Sequence, residues 1–142
     1  MFKKFFNREN IKENNDQNIL IAALLIHAAK IDENYTDFEK KIIKKALIDL
    51  NLVKIDETEK LLKKAEEKEK QSNQIIEFTK EIKKNPLEFR LKIVEILWKI
   101  VYSDSASDSY ESNLIRRVWG LLYISDKDSG IIKEKIKNSI KE

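Results

Sequence analysis

The sequence contains no cysteine and has very little histidine, glycine or proline. Its 142 residues include one histidine, two glycines and one proline. The lack of cysteine excludes disulfide bonds, thiolate catalysis and cysteine-bound zinc, and His27 alone cannot build a multi-histidine metal site. Tight β-turns depend on glycine and proline, so this scarcity favours long helices over hairpins and barrels. The composition therefore predicts an all-α fold.

No stretch of the sequence is long and apolar enough to predict a membrane span. The longest apolar run extends from Ile19 to Ala29, whereas a spanning helix needs about 20 apolar residues. The first residues, MFKKFFNRENIK, are basic, but neither an apolar segment nor a small-residue cleavage site follows them, so a secretory signal is not expected. We therefore expect a cytoplasmic protein.

No charge of one sign dominates the chain. Its 28 basic and 25 acidic residues leave a net charge of +3, and the two signs are interleaved. Pairs of lysines recur beside glutamates, a pattern typical of solvated helix faces. Nucleic acid is therefore not expected as a partner.

Apolar periodicity predicts seven helices in one domain. The most apolar runs from about Asp16 to Ile31, and its i, i+4 ladders predict a central position. The second extends from Thr36 to about Leu50 with Phe38 among its inward residues, and the third, highly charged, is expected at the periphery. The others are predicted over residues 74–84, 86–102, 108–124 and from 126 to the end. We expect residues 1–12 to form an amphipathic N-terminal segment before a helical domain of residues 13–142.

Two acidic stretches interrupt the apolar pattern at comparable places. They are AKIDENYTDFEK (29–40) and YSDSASDSYES (102–112). Thr36 with Glu39 and Asp108 with Glu111 have the spacing of a helix capping box or its aspartate variant. Capping leaves out Asp32 and Asp104, which are predicted near helix C-termini, where the helix dipole disfavours negative charge. A hard divalent cation held by these oxygens is the other interpretation, and both interpretations remain open.

The two acidic stretches belong to an internal repeat. A shift of 72 residues places Leu25 on Leu97, Asp32 on Asp104 and Glu39 on Glu111. Each half has the order apolar helix, acidic loop and amphipathic helix. The repeat predicts two helical hairpins related by a twofold-like rotation.

The two halves, LLIHAAKIDENYTDFEKKIIKKAL and ILWKIVYSDSASDSYESNLIRRVWGLL, resemble the repeated A-x-x-D-G-x(5)-E signature of the TerB-like family, in particular a branch of small bacterial proteins. The resemblance covers residues 18 to 138. It implies an all-helical domain with pseudo-twofold symmetry, in a stress-response or membrane-associated setting. It also implies a divalent-metal site at the motif residues Asp32, Glu39, Asp104 and Glu111. The spacing of the second loop adds Asp108 as a predicted ligand, and the oxygen ligands suit Ca²⁺, Mg²⁺ or Mn²⁺. Glu33 and Ser105 replace the family glycine after each motif aspartate, and a left-handed backbone there would be strained.

The sequence predicts a non-enzymatic binding or scaffold domain with a protein partner. A metal-independent interaction module and a metal-dependent hydrolase are the alternatives, but His27 has no nucleophile or paired base beside it in the sequence. Trp98 and Trp119 lie in apolar helical stretches, which favours packing over a stacking platform. The N-terminal phenylalanines are expected to dock on the bundle, and weak contact with a membrane surface is the alternative.

Overall fold

In the computed structural model, which describes residues 15–30, 35–72, 74–102 and 109–141, all regular structure is helical. This confirms the predicted fold class. The described part contains seven α-helices and a short 3₁₀ turn at Ile55–Glu57. The helices are α1 (Asn15–Lys30), α2 (Asp37–Asp49), α3 (Thr58–Gln71), α4 (Ile75–Ile82), α5 (Leu87–Val101), α6 (Ser109–Leu121) and α7 (Asp126–Lys141).

Helix α1 lies at the centre of the bundle, as its all-round apolar character predicts. Every residue from Ile21 to Ile26 is fully buried, and α1 contacts each of the helices from α2 to α6. The charged helix α3 packs along α1 through one face that contains Leu61, Leu62 and Ala65. No helix in the described residues has both the length and the apolar character to cross a membrane.

Helix α2 has a complete capping box at its N-cap residue, Thr36, and ends in a Schellman motif. Asn51 has a left-handed φ of 59°. Its amide donates to the Ile48 carbonyl, and the Leu52 amide donates to the Leu47 carbonyl, both at 3.0 Å. These two bonds satisfy carbonyls that the helix end would otherwise leave without a partner.

Helix α6 ends in the same way, 72 residues later. Tyr123 has φ 60°, and its amide donates to Gly120 while the amide of Ile124 donates to Trp119. The helix consequently stops at Leu121, three residues before its predicted end. Since α2 and α6 stop one repeat apart, at Asp49 and Leu121, and both stop in the same motif, the backbone supports the repeat. The twofold rotation itself stays a prediction.

In each half of the repeat, a side chain of the first helix donates a hydrogen bond to a backbone carbonyl just after the end of the second helix. Asn18 of α1, which is buried, donates from Nδ2 to the Leu52 carbonyl at 2.9 Å. Arg90 of α5, which has the same repeat position, donates from Nη1 to the Leu122 carbonyl at 2.7 Å. Its Nε also donates to the Asn85 carbonyl at 2.9 Å. The guanidinium therefore bonds the carbonyl groups that follow the C-terminal ends of α4 and α6.

Two predictions about large side chains have different outcomes. Trp98 is buried and donates to Ser129 Oγ at 3.3 Å, while the half-buried Trp119 lies 6.1 Å from it, centroid to centroid. Packing therefore explains both tryptophans. Phe38, in contrast, is 59% exposed, so its predicted inward position is wrong. It lies in the first turn of α2, one turn before Ile42. The first buried apolar residue of the helix, Ile43, comes only after it, so Phe38 projects past the part of α2 that packs on the core.

Candidate functional site

The predicted cation ligands fall mostly outside the described residues. Asp32, Asp104 and Asp108 all lie there, and Glu111 lies in α6 with a side chain outside the described part. Among the residues that are described, no group of three or more histidine, aspartate or glutamate side chains has the proximity to hold a metal ion. The metal site therefore stays a prediction.

Glu39 is the predicted ligand whose side chain is described, and it takes part in the capping box of α2. Its amide donates to Thr36 Oγ1 at 3.1 Å, and its Oε1 accepts from the Thr36 amide at 3.0 Å and hydroxyl at 3.2 Å. The side chain is buried, with 2% exposure. The capping interpretation of this half is thus confirmed, and the helix N-terminus stabilises the carboxylate.

A tyrosine beside this cap lies among carboxylates. Burial, followed by the nearby charges of Glu66 and Glu39, raises the pKa of the Tyr35 hydroxyl well above its usual range. Lys40 lies 4.9 Å from the centroid of the Tyr35 ring and 4.0 Å from Glu66. The phenol therefore remains protonated, and a lysine partly balances the acidic surroundings of the cap.

A charged cluster joins α1 to α3 on the inner face of α3. Glu69, 7% exposed, accepts from Lys30 Nζ at 2.9 Å and from His27 Nδ1 at 3.2 Å. The His27 ring also lies 5.9 Å from that of Phe78. Burial opposes ionisation of Glu69, but the hydrogen bonds from Lys30 and His27 outweigh it, and its pKa is lowered. His27 thus has a structural partner, and the cluster links two helices.

The structure also forms a groove between α2 and α5, to which Ser139 of α7 contributes. Its volume is about 510 Å³. The apolar part of its surface comes from both helices, namely Ile42, Ala46, Leu50 and Ile96. The charged part comprises Lys45, Asp49, Lys92, Glu95 and Lys99. This combination can bury an apolar face of a ligand and pair with charges at its edges.

Neither the cluster nor the groove was predicted from the sequence. A signal for Glu69 was present, because Leu61, Ala65 and Glu69 are spaced four residues apart and so share the inner face of α3. The groove offered no such signal. Lys45 belongs to one of the lysine pairs interpreted as a solvated face. It shares a groove with Lys92 only because α2 packs against α5, which the sequence does not reveal.

Comparison with known proteins identifies the family to which this helical arrangement belongs. No curated protein and no solved structure shows a significant match to the chain. The family model of tellurite resistance protein TerB matches residues 18–134. The match runs from the first turn of α1 into α7 and includes both acidic stretches of the repeat. The chain belongs to the TerB family.

Proposed function

We propose that the chain is a non-enzymatic binding domain that holds a protein partner in the groove between α2 and α5. The groove itself is the observation that supports this function. Its floor exposes part of Ile42 beside the more deeply set Ala46 and Ile96. Burying apolar surface contributes about 25 cal/mol per Å², so a complementary surface would be stabilised there. Phe38, strongly exposed one turn before Ile42, extends the same face of α2.

The absence of cysteine from the sequence permits a direct test. A single cysteine replacing Lys45, at the edge of the groove, would carry a photoactivatable crosslinker in the full-length chain. The same label at Lys64, an exposed position on α3, serves as the control. We expect a discrete adduct in cells from the label at residue 45 and not from the label at residue 64. Identical adducts from the two positions would contradict the proposed binding surface.

We further propose that a divalent cation tunes this domain through Asp32, Glu39, Asp104, Asp108 and Glu111. Support comes from the repeat, the family assignment and the acidic sequence of both stretches, which supplies the oxygen ligands that a hard divalent cation prefers. A contribution from Glu39 must be compatible with its cap, because its Oε1 already accepts two hydrogen bonds.

Titration with millimolar Ca²⁺, Mg²⁺ or Mn²⁺ tests the cation proposal. A cation that binds only the folded chain should raise the melting temperature by mass action and shift the amide resonances of residues 103 to 112. Asp104→Asn should abolish both responses. An intact response in this variant, or no response in the wild type, would leave the second loop as a capped polar turn. A cytoplasmic location and membrane contact through residues 1–12 remain predictions.

A further inference from the structure

The two walls of the groove repeat one spacing. The α2 wall contributes residues 42, 45, 46 and 49, and the α5 wall contributes residues 92, 95, 96 and 99. Both sets follow i, i+3, i+4, i+7, which is one face of a helix about 10 Å long at 1.5 Å per residue. Two helix faces of equal length therefore border the groove, a surface on which a third helix can lie with its apolar side chains between them.

The charges at the edges of the groove are unequal. Lys45, Lys92 and Lys99 form no ion pair with any described residue, and all three are exposed. Of the two acids, Glu95 is already paired, since its Oε1 lies 3.4 Å from Lys135 Nζ. Among the described residues that line the groove, Asp49 is then the one acid left to balance three lysines. The groove thus has an apolar floor and a positively charged rim.

From this combination we infer that the groove binds an acidic amphipathic helix of a partner protein. The inference rests on the proposed function and specifies its partner. Leucine-like side chains of the helix would occupy the floor beside Ile42 and Ile96, where Ala46 is too small to fill the space. Glutamates on the two flanks would then reach Lys45 on one wall and Lys92 and Lys99 on the other.

The charge of the rim also decides against the N-terminal segment of the chain as the occupant. Residues 1–12, MFKKFFNRENIK, offer phenylalanines that would suit the floor, but their four basic residues and one acid give them the same sign as the rim. Like charges at a shared surface disfavour binding. An acidic helix satisfies the floor and the rim together.

Two model peptides test the inference on the full-length chain. The first has about three heptads with leucine at positions a and d and glutamate at positions e and g, and the second has lysine in place of every glutamate. Each carries fluorescein, and binding is measured by fluorescence anisotropy at low and high salt. The variants are Lys92→Glu with Lys99→Glu in the groove, and Lys60→Glu with Lys64→Glu on α3. Both pairs change the charge equally at exposed positions.

We expect the acidic peptide to bind the wild type more tightly than the basic one, with an affinity that falls as salt rises. The groove pair should weaken binding of the acidic peptide by about tenfold and strengthen binding of the basic peptide, since two favourable pairs become repulsive. The α3 pair should change either affinity by less than about threefold. Ile42→Asn should weaken binding of the acidic peptide, and this variant should still bind the acidic peptide more tightly than the basic one.

Equal affinity for the two peptides, or equal effects of the two charge-reversal pairs, would overturn the inference. A gain of tenfold or more in affinity when Phe2, Phe5 and Phe6 are all replaced by serine would assign the groove to the chain's own N-terminal segment instead. Failure of the acidic peptide alongside a residue-45-specific adduct in cells would refute the acidic helix and leave the proposed function intact. Failure of the crosslinking test would refute the proposed function itself.

Discussion

Replacing Glu69 by alanine should lower the free energy of unfolding by about 1.5–3 kcal/mol at neutral pH. The carboxylate accepts two hydrogen bonds, from Lys30 at 2.9 Å and His27 at 3.2 Å, and is buried. Hydrogen bonds to a charged group contribute about 1.5–3 kcal/mol each. The predicted loss is that of a single such bond and not the sum of two, because the Lys30 side chain is 33% exposed and can turn to water once its partner is gone.

The effect of Glu69 should depend on pH in a defined direction. Its pKa is lower in the folded state than in the unfolded chain, where glutamate titrates at about 4.3. Its contribution is therefore fully present above the unfolded pKa and is lost as the pH falls through the folded pKa. The difference in stability between the wild type and Glu69→Gln should shrink on acidification from about pH 7 to about pH 3.

Urea unfolding followed by circular dichroism at several pH values measures both the loss of stability in the Glu69 variants and its change with pH. Glu67→Gln is the matched control, since Glu67 lies on the same helix and is exposed. It should change stability by no more than about 0.5 kcal/mol. An equal loss in Glu69→Gln and Glu67→Gln, or a difference that grows as the pH falls, would refute the assignment of Glu69 as a helix-linking carboxylate.

Three further predictions concern the core and the helix ends. Leu25→Ala or Leu97→Ala, each removing a fully buried side chain, should cost ~2–5 kcal/mol in chemical denaturation, and a loss below about 0.5 kcal/mol would be inconsistent with burial. Tyr123→Gly should raise the stability measured by thermal unfolding by about 0.5–1 kcal/mol, because a left-handed φ is unfavourable for tyrosine and glycine adopts it freely; a lower melting temperature would count against this. Thr36→Ala should lower the stability measured by urea unfolding by ~0.5–2 kcal/mol, because the side chain that accepts from the Glu39 amide is lost. Thr36→Ser keeps this hydroxyl and should keep most of the stability, so equal losses in the two variants would contradict the capping role.

Most of the fold follows from patterns within single helices. The prediction for α1, Asp16 to Ile31, lies within one residue of the observed Asn15–Lys30 at both ends, because its apolar run has clear limits. The end of α6 was misplaced because tyrosine at position 123 gives no indication of a left-handed residue, whereas glycine would have done so. Phe38 was misassigned because periodicity identifies a face of α2 but not how far along it the neighbouring helices reach.

The site was less predictable than the fold because it depends on pairs of helices. Thr36 and Glu39 lie three residues apart, so their capping box is visible in the sequence and the structure confirms it. Glu69 and His27 lie 42 residues apart, and the groove combines Lys45 with Lys92. A charge pattern along one helix cannot distinguish a solvated lysine from one at the edge of a groove, because the difference depends on the opposite wall.

The bonds from Asn18 to the Leu52 carbonyl and from Arg90 to the Leu122 carbonyl make each helical hairpin a closed unit. The last turn of a helix ordinarily frays independently of the protein interior, with an opening free energy near zero. Here the C-terminal end of α2 can open freely only if α1, the most deeply buried helix, releases its asparagine, and the end of α6 depends in the same way on α5. The amide hydrogens of Leu52 and Ile124 should therefore exchange with solvent together with the buried helices and not with the chain ends, which gives each half of the repeat a single cooperative opening event.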